Sequence, residues 1–101
     1  MNKLFVYGIF LSEAQRQAYG MSNPTYACVR DYATYGGSIV EAYHIPNAGL
    51  SLTGLLVDVD PAYWPRLDDL EYGYDRKVVT TINGATAYMY VGKESNESQT
   101  D

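Results

Sequence analysis

One cysteine and one histidine are all that 101 residues contain of the side chains that most often hold metals or act as nucleophiles. A lone Cys28 excludes an internal disulfide and a thiolate metal site, and it reads as a small core residue. His44, just before Ile45-Pro46, has no Ser or Cys partner in a recognisable catalytic pattern and reads as structural or surface. Basic residues are also scarce, seven Lys and Arg against twelve Asp and Glu, for a net charge of −5. They form no cluster, which excludes a phosphate-backbone partner and so nucleic acid. No apolar run approaches the length of a membrane span, so no membrane partner is expected. The stretch after Lys3 lacks a small-residue cleavage site and is interrupted by Tyr7 and Gly8, so it reads as a strand, not a signal peptide. A cytoplasmic protein is the expectation, and the sequon Asn96-Glu97-Ser98 carries no meaning without secretion. Asp58, Asp60, Asp68 and Asp69 lack metal-binding spacing; capping and solvated charge account for them, and no metal or cofactor is expected.

What the chain has in abundance is tyrosine, eleven in all, within an apolar fraction of 47%. Tyrosine suits strands and the walls of polar-rimmed cavities. The length fits one domain, placed at residues 1–92 and followed by a polar tail, 93–101, that has no apolar content and is expected to be disordered.

Local signals divide that domain. Leu4 to Tyr7 is a short apolar strand cut at Gly8. Ser12 followed by Gln15 is a capping-box pattern, predicting a helix that fades near Gly20. Residues 20–25 read as loop, and Tyr26 to His44 as a tyrosine-rich segment broken at Gly36-Gly37, with a strand over Ser38 to Tyr43. Leu52 to Val59 is a strand ending in Asp60-Pro61, an N-cap and first-turn pair. Pro65 predicts a tight first turn, with regular helix only from about Trp64 toward Glu71. Lys77 to Ile82 and Ala85 to Val91 flank Asn83-Gly84, the sequence of a two-residue type I′ hairpin. That register pairs Ile82 with Ala85, Thr80 with Ala87 and Val78 with Met89 as the core face, and puts Tyr88 and Tyr90 on the other. The pattern predicts an α+β domain with a small closed or highly curved sheet.

Two places could carry chemistry. At Tyr7-Gly8-Ile9-Phe10 a glycine between strand and helix permits positive φ, and successive main-chain N–H groups there can cradle an anion or oxyanion; taken by itself, the stretch reads more readily as a purely structural tight turn. In "WPRLDDLEYGYDRK", Trp64, Leu67 and Glu71 share one helix stripe. A carboxylate on that stripe is desolvated, which raises its pKa toward the range of a general base, unless it lies at a frayed end in water. Asp68 and Asp69 project elsewhere and are expected to stay solvated. Arg76 could meet a substrate carboxylate or serve only as a strand-edge charge.

Phe5-Val6-Tyr7-Gly8-Ile9-Phe10, with Leu67-Asp68-Asp69-Leu70-Glu71-Tyr72-Gly73 followed by Tyr74 and Arg76, resembles the gamma-glutamylcyclotransferase-like family. "LTGLLVDVDPAYW" between them looks like the family's strand leading into its acidic helix, and the resemblance spans roughly residues 3–92. It implies a small mixed β-barrel with flanking short helices and a pocket between the Tyr-Gly loop and the acidic helix. It also implies cyclisation of a γ-glutamyl amine or peptide to 5-oxoproline, without a cofactor. Glu71 matches the family's catalytic glutamate; the main chain of Tyr7, Gly8, Ile9 and Phe10 would bind substrate, and Tyr90 stands near a late-strand aromatic of the family. Ile9 stands where the family usually has Ser or Thr, Phe10 where it usually has Leu, and Tyr72 separates Glu71 from Gly73. A non-catalytic module that sequesters a small ligand in the same pocket, or a protein-interaction domain, remains open beside the enzyme, as do substrate and oligomeric state.

Overall fold

A computed structural model describes residues 1–35 and 41–92. The expected tail, the sequon and the Ser38–Val40 part of the expected strand lie outside these residues. The described residues form β1 (Lys3–Val6), α1 (Glu13–Ala18), β2 (Met21–Arg30), β3 (Tyr32–Tyr35), β4 (Glu41–His44), β5 (Ser51–Val59), α2 (Trp64–Leu70), β6 (Tyr74–Thr80) and β7 (Thr86–Gly92). Short 3₁₀ turns, Gly8–Leu11 and Pro61–Tyr63, precede the two α-helices.

Five strands make one sheet in the order β2-β5-β1-β7-β6, and β3 pairs with β4 in a second, two-stranded sheet. β1 is the centre of the larger sheet, antiparallel to β5 and parallel to β7. That position explains its unbroken apolar run, because a central strand is covered on both faces. Successive side chains point to opposite sides. Leu4 and Val6 accordingly join Phe10, Val57, Val59, Leu67 and Tyr90 in one core, while Phe5 joins Val29, Ala42, Ala87, Met89 and Val91 in the other. Gly54 lets β5 and β1 approach: a Cβ there would lie 2.2 Å from the Val6 carbonyl oxygen.

The fold is α+β, as the pattern predicts, and barrel-like in a loose sense. The sheet does not close into a continuous ladder, but its two edges meet at one antiparallel bridge, Val29 to Thr81, with Ile82 N–H donating to the Cys28 carbonyl at 2.8 Å. The Asp60 carboxylate accepts from Ala62 N–H, and regular helix begins at Trp64 as the two prolines dictate. α1 starts after Ser12 as expected, although no side-chain cap bond forms there.

Two expectations fail. Residues 21–25 are strand, not loop: Met21 pairs with Val59 and is buried, and Asn23-Pro24 falls at a bulge between Ser22 and Thr25, where the ladder needs no donor from proline. The hairpin register is also one residue off. Thr80 pairs with Thr86, Val79 with Ala87 and Lys77 with Met89. Gly84 N–H donates to the Thr81 carbonyl, Thr81 N–H to the Ala85 carbonyl, and Gly84 has a φ of 96°. These are the marks of a three-residue loop, a type I turn closed by a glycine bulge, selected by the Thr81 hydroxyl, which donates to the Asn83 side-chain oxygen and accepts from Ala85 N–H. The slip moves Val79 into the core and leaves Val78 and Ile82 exposed, while Ala87 and Met89 stay inside.

Candidate functional site

A cavity of about 560 Å³ opens where β1 runs into the first 3₁₀ turn, facing the end of α2. It brings together the catalytic and substrate-binding candidates that the family resemblance implies: Tyr7, Gly8, Ile9, Phe10, Glu71 and Tyr90 all line it. Leu70 and Tyr74 complete the wall on the α2–β6 side.

The local geometry follows from the sequence. Gly8 has a φ of 76°, so the chain leaves β1 and turns directly into the 3₁₀ turn, a path open to glycine and strained for residues with a Cβ. The first N–H groups of such a turn have no partner within it and point out of its N-terminal end. Phe10 is buried and anchors the turn, its ring centroid 5.5 Å from that of Tyr19 in a T-shaped contact, whereas Ile9 is 55% exposed at the cavity. The Arg16 guanidinium donates to the Phe10 and Leu11 carbonyls at 3.0 and 2.8 Å, fixing the turn from behind.

Glu71 sits at the corner between α2 and β6. Its N–H donates to the Leu67 carbonyl at 2.9 Å and its own carbonyl accepts from Tyr74 N–H at 2.8 Å, so the residue is pinned on both sides. It is partly buried, not frayed into water, and burial raises its carboxyl pKa above the usual range. Leu67, one turn before it, is fully buried and holds the helix stripe against the core.

The tyrosines around it form a set of neutral hydroxyls. Tyr7 donates to the Tyr90 carbonyl and accepts from Ala42 N–H at 3.3 Å, joining β1 to β7 and β4. Burial pushes its phenol far above the ordinary value, Ala42 N–H works against that, and the charges of Glu71 and Glu41 add to it. The Tyr90 hydroxyl donates to Asp68 at 2.6 Å; burial first, then this bond, keeps it protonated. Tyr74 reaches Glu41 at 3.4 Å and is raised by burial and by Glu41 and Glu71. Tyr43 also donates to Glu41, which raises its phenol.

Here the structure corrects the sequence reading of Asp68. Its side chain is 45% exposed but not free: it takes the Tyr90 hydroxyl and pairs with Arg76 at 3.4 Å. Arg76 is no idle edge charge either, because its guanidinium lies 4.6 Å from the Trp64 ring and 4.7 Å from that of Tyr88. His44 packs on Tyr32 at the surface, 5.0 Å between rings. Among the described residues no group of three or more His, Cys, Asp or Glu could hold a metal ion, and no helix is long and apolar enough to cross a membrane.

Sequence reasoning missed Tyr74, Leu70, Glu41 and the link from Tyr90 through Asp68 to Arg76. The signal for the last was the alternation Tyr88, Tyr90 opposite Val78 and Arg76, which becomes readable only in the observed register. Chemically the cavity offers one partly desolvated carboxylate, neutral phenol donors and a bend of exposed main chain. That set can abstract or return a proton and orient a polar ligand.

Comparisons with known proteins bear on the family and the fold. The family described as gamma-glutamyl cyclotransferase, AIG2-like, matches residues 4–101. An uncharacterized protein of Pyrococcus horikoshii superposes with a TM-score of 0.72 at 17% identity, covering 93% of this chain and 80% of that one. A gamma-glutamyl cyclotransferase gives 0.69 at 17% identity over 92% and 67%. An Arabidopsis thaliana protein gives 0.72 at 14% identity over 98% and 80%. At these identities the structures establish the shared fold alone. No curated protein matches the sequence.

Proposed function

The chain belongs to the gamma-glutamyl cyclotransferase, AIG2-like family, and on that premise we propose that it cyclises a γ-glutamyl amine or peptide to 5-oxoproline and releases the amine. The observation that carries this reading is Glu71, a partly buried carboxylate with a raised pKa, pinned at a corner of the same cavity as the Gly8 bend. In the proposed reaction the α-nitrogen of the glutamyl group attacks its own γ-carbonyl carbon. A new C–N bond closes the five-membered lactam as the C–N bond to the outgoing amine breaks. With the glutamyl α-nitrogen entering as the free amine, its ammonium proton already lost to solvent, Glu71 takes a proton from it as the new C–N bond forms and returns that proton to the departing nitrogen, so that one group serves as base and then as acid. A pKa above that of ordinary carboxylates suits both halves of that exchange. Main-chain N–H groups from Tyr7 through Phe10 would hold the glutamyl carboxylate or the carbonyl oxygen that gains charge. Tyr90, neutral and tied to Asp68, would form the opposite wall. The reaction draws on this chain's own groups and needs no cofactor.

A second reading, a binding module without turnover, draws support from Ile9, which puts hydrocarbon at the mouth of the cavity beside the bending glycine. The two readings separate in one experiment. The protein and its Glu71→Gln variant are incubated with γ-glutamyl amines and dipeptides, 5-oxoproline is quantified, and binding is measured by calorimetry. Product from the wild type, lost in the variant while binding persists, supports the enzyme. Binding to both with product from neither supports the module.

A further inference from the structure

We propose that the protein carries a second small-molecule site, away from Glu71, which binds a monocarboxylate attached to a flat apolar body. A separate cavity of about 520 Å³ lies where the chain from the first 3₁₀ turn into α1 meets β2 and β5, and it shares no lining residue with the Glu71 cavity. Its cation is Arg16. The guanidinium bonds the protein through Nη1 alone, on the Phe10 and Leu11 carbonyls at 3.0 and 2.8 Å. Those acceptors are neutral, so the charge is not compensated. Among the described residues Arg16 has no carboxylate partner; the ion pairs are Lys3 with Asp58 and Arg76 with Asp68. No Asp or Glu lines the cavity. The acidic groups on the adjoining elements are engaged as well: Glu13 of α1 accepts from Gln17, and Asp58 of β5 holds Lys3 and Asn23. Nε and Nη2 of Arg16 have no partner among the described residues, and a guanidinium takes both oxygens of one carboxylate on such an edge. One cation matches one negative charge, whereas a phosphate monoester would bring a second with nothing to meet it.

The body of the ligand is read from the rest of the lining. Tyr26 pairs across the ladder with Leu55, so the two side chains share one face of the sheet, and Thr53, two residues along β5, shares it too. Tyr26 is 86% exposed, and Leu11 at the end of the 3₁₀ turn is 50% exposed, both on the lining of a concavity. Apolar side chains exposed singly are ordinary, but here a ring, two leucines and an uncompensated cation border the same space. A flat apolar group would cover the Tyr26 ring and the leucines while its carboxylate met Arg16, and the Thr53 hydroxyl offers a further polar contact.

Phenylacetate is the probe, with phenethyl alcohol as its uncharged counterpart and phenyl phosphate as the dianion, each titrated into the protein with amide chemical-shift mapping at about pH 7.5. Phenylacetate is expected to shift the amides of Thr25, Tyr26 and Thr53–Leu55 and to bind at least about tenfold more tightly than the alcohol, which lacks the charge-assisted pair. Arg16→Gln, checked for folding by circular dichroism, should remove that difference and leave acid and alcohol alike. Should it not fold, Tyr26→Glu, at an exposed position, sets a like charge at the cavity and should weaken the acid at least about fivefold more than the alcohol. Equal affinity of acid and alcohol for the wild type, tighter binding of phenyl phosphate than of phenylacetate, or an unchanged preference in either variant overturns the proposal. So does the absence of shifts, or shifts confined to Gly8–Phe10 and Glu71. None of these outcomes depends on whether 5-oxoproline forms, so the cyclotransferase reading stands or falls separately.

Discussion

The hydroxyl of Tyr90 donates to the Asp68 carboxylate at 2.6 Å, and this bond ties the cavity wall on β7 to the helix that ends at Glu71. Asp68 in turn pairs with Arg76, whose guanidinium lies over both the Trp64 and Tyr88 rings, so helix, strands and rings form one connected unit. Removing the hydroxyl in Tyr90→Phe keeps the ring in the core and deletes the link. Because Asp68 is half exposed, the loss is expected to be about 1 kcal/mol, a fall in melting temperature of roughly 4–8 °C for a domain of this size. Thermal unfolding by circular dichroism checks it, and an unchanged melting temperature would mean that the bond contributes nothing.

Tyr7→Phe is expected to cost more. The hydroxyl serves two backbone groups, the Tyr90 carbonyl and the N–H of fully buried Ala42, and both lose a partner together. Leaving buried polar groups unsatisfied predicts a loss of about 1–3 kcal/mol in urea unfolding. The midpoint should fall with little change in slope, as for a change in stability without a change in exposed area.

Gly54→Ala addresses the close approach of β5 to β1. The added Cβ would meet the Val6 carbonyl oxygen at 2.2 Å and the Phe5 ring at 2.8 Å, and the first of these is backbone that cannot rotate away. Overpacking predicts a destabilisation of about 2 kcal/mol or more, read from the same urea curves. Because Val6 leads into the Gly8 bend, turnover of any substrate is expected to fall as well.

Glu71 makes a prediction with a definite sign. Burial raises its folded-state pKa, so between the unfolded and folded values the native protein binds the extra proton. Stability from this group is therefore greatest below the unfolded pKa and declines as pH rises through the folded one, with the full penalty at neutral pH. Glu71→Gln lacks the penalty. Its melting temperature should exceed that of the wild type at pH 7, and the gap should close toward pH 3; a gap of opposite sign at pH 7 contradicts the assignment of burial as the cause.

The candidate site was more legible in the sequence than the strands that frame it. Gly8 and Glu71 are chemically unusual where they stand, a glycine cutting an apolar strand and a carboxylate on an apolar helix stripe. Each carries its signal locally. Register and partners are not local. Asn83-Gly84 permits two turn types, and the choice depends on whether Thr81 bonds across the loop. Residues 21–25 are rich in loop formers, but Met21 has a buried slot against Val59, and pairing with β5 overrides propensity. Asp68 looks solvated from the helix alone, because its partners arrive from β6 and β7.

The central claim is that Glu71 transfers the proton in a lactam-forming reaction. It is tested most directly by the kcat for 5-oxoproline formation from the best γ-glutamyl substrate, measured side by side for the wild type and Glu71→Gln. Loss of the general base predicts a kcat lower by about 10²–10⁴-fold in the variant, while the substrate still binds. Equal kcat values in the two proteins would contradict the account.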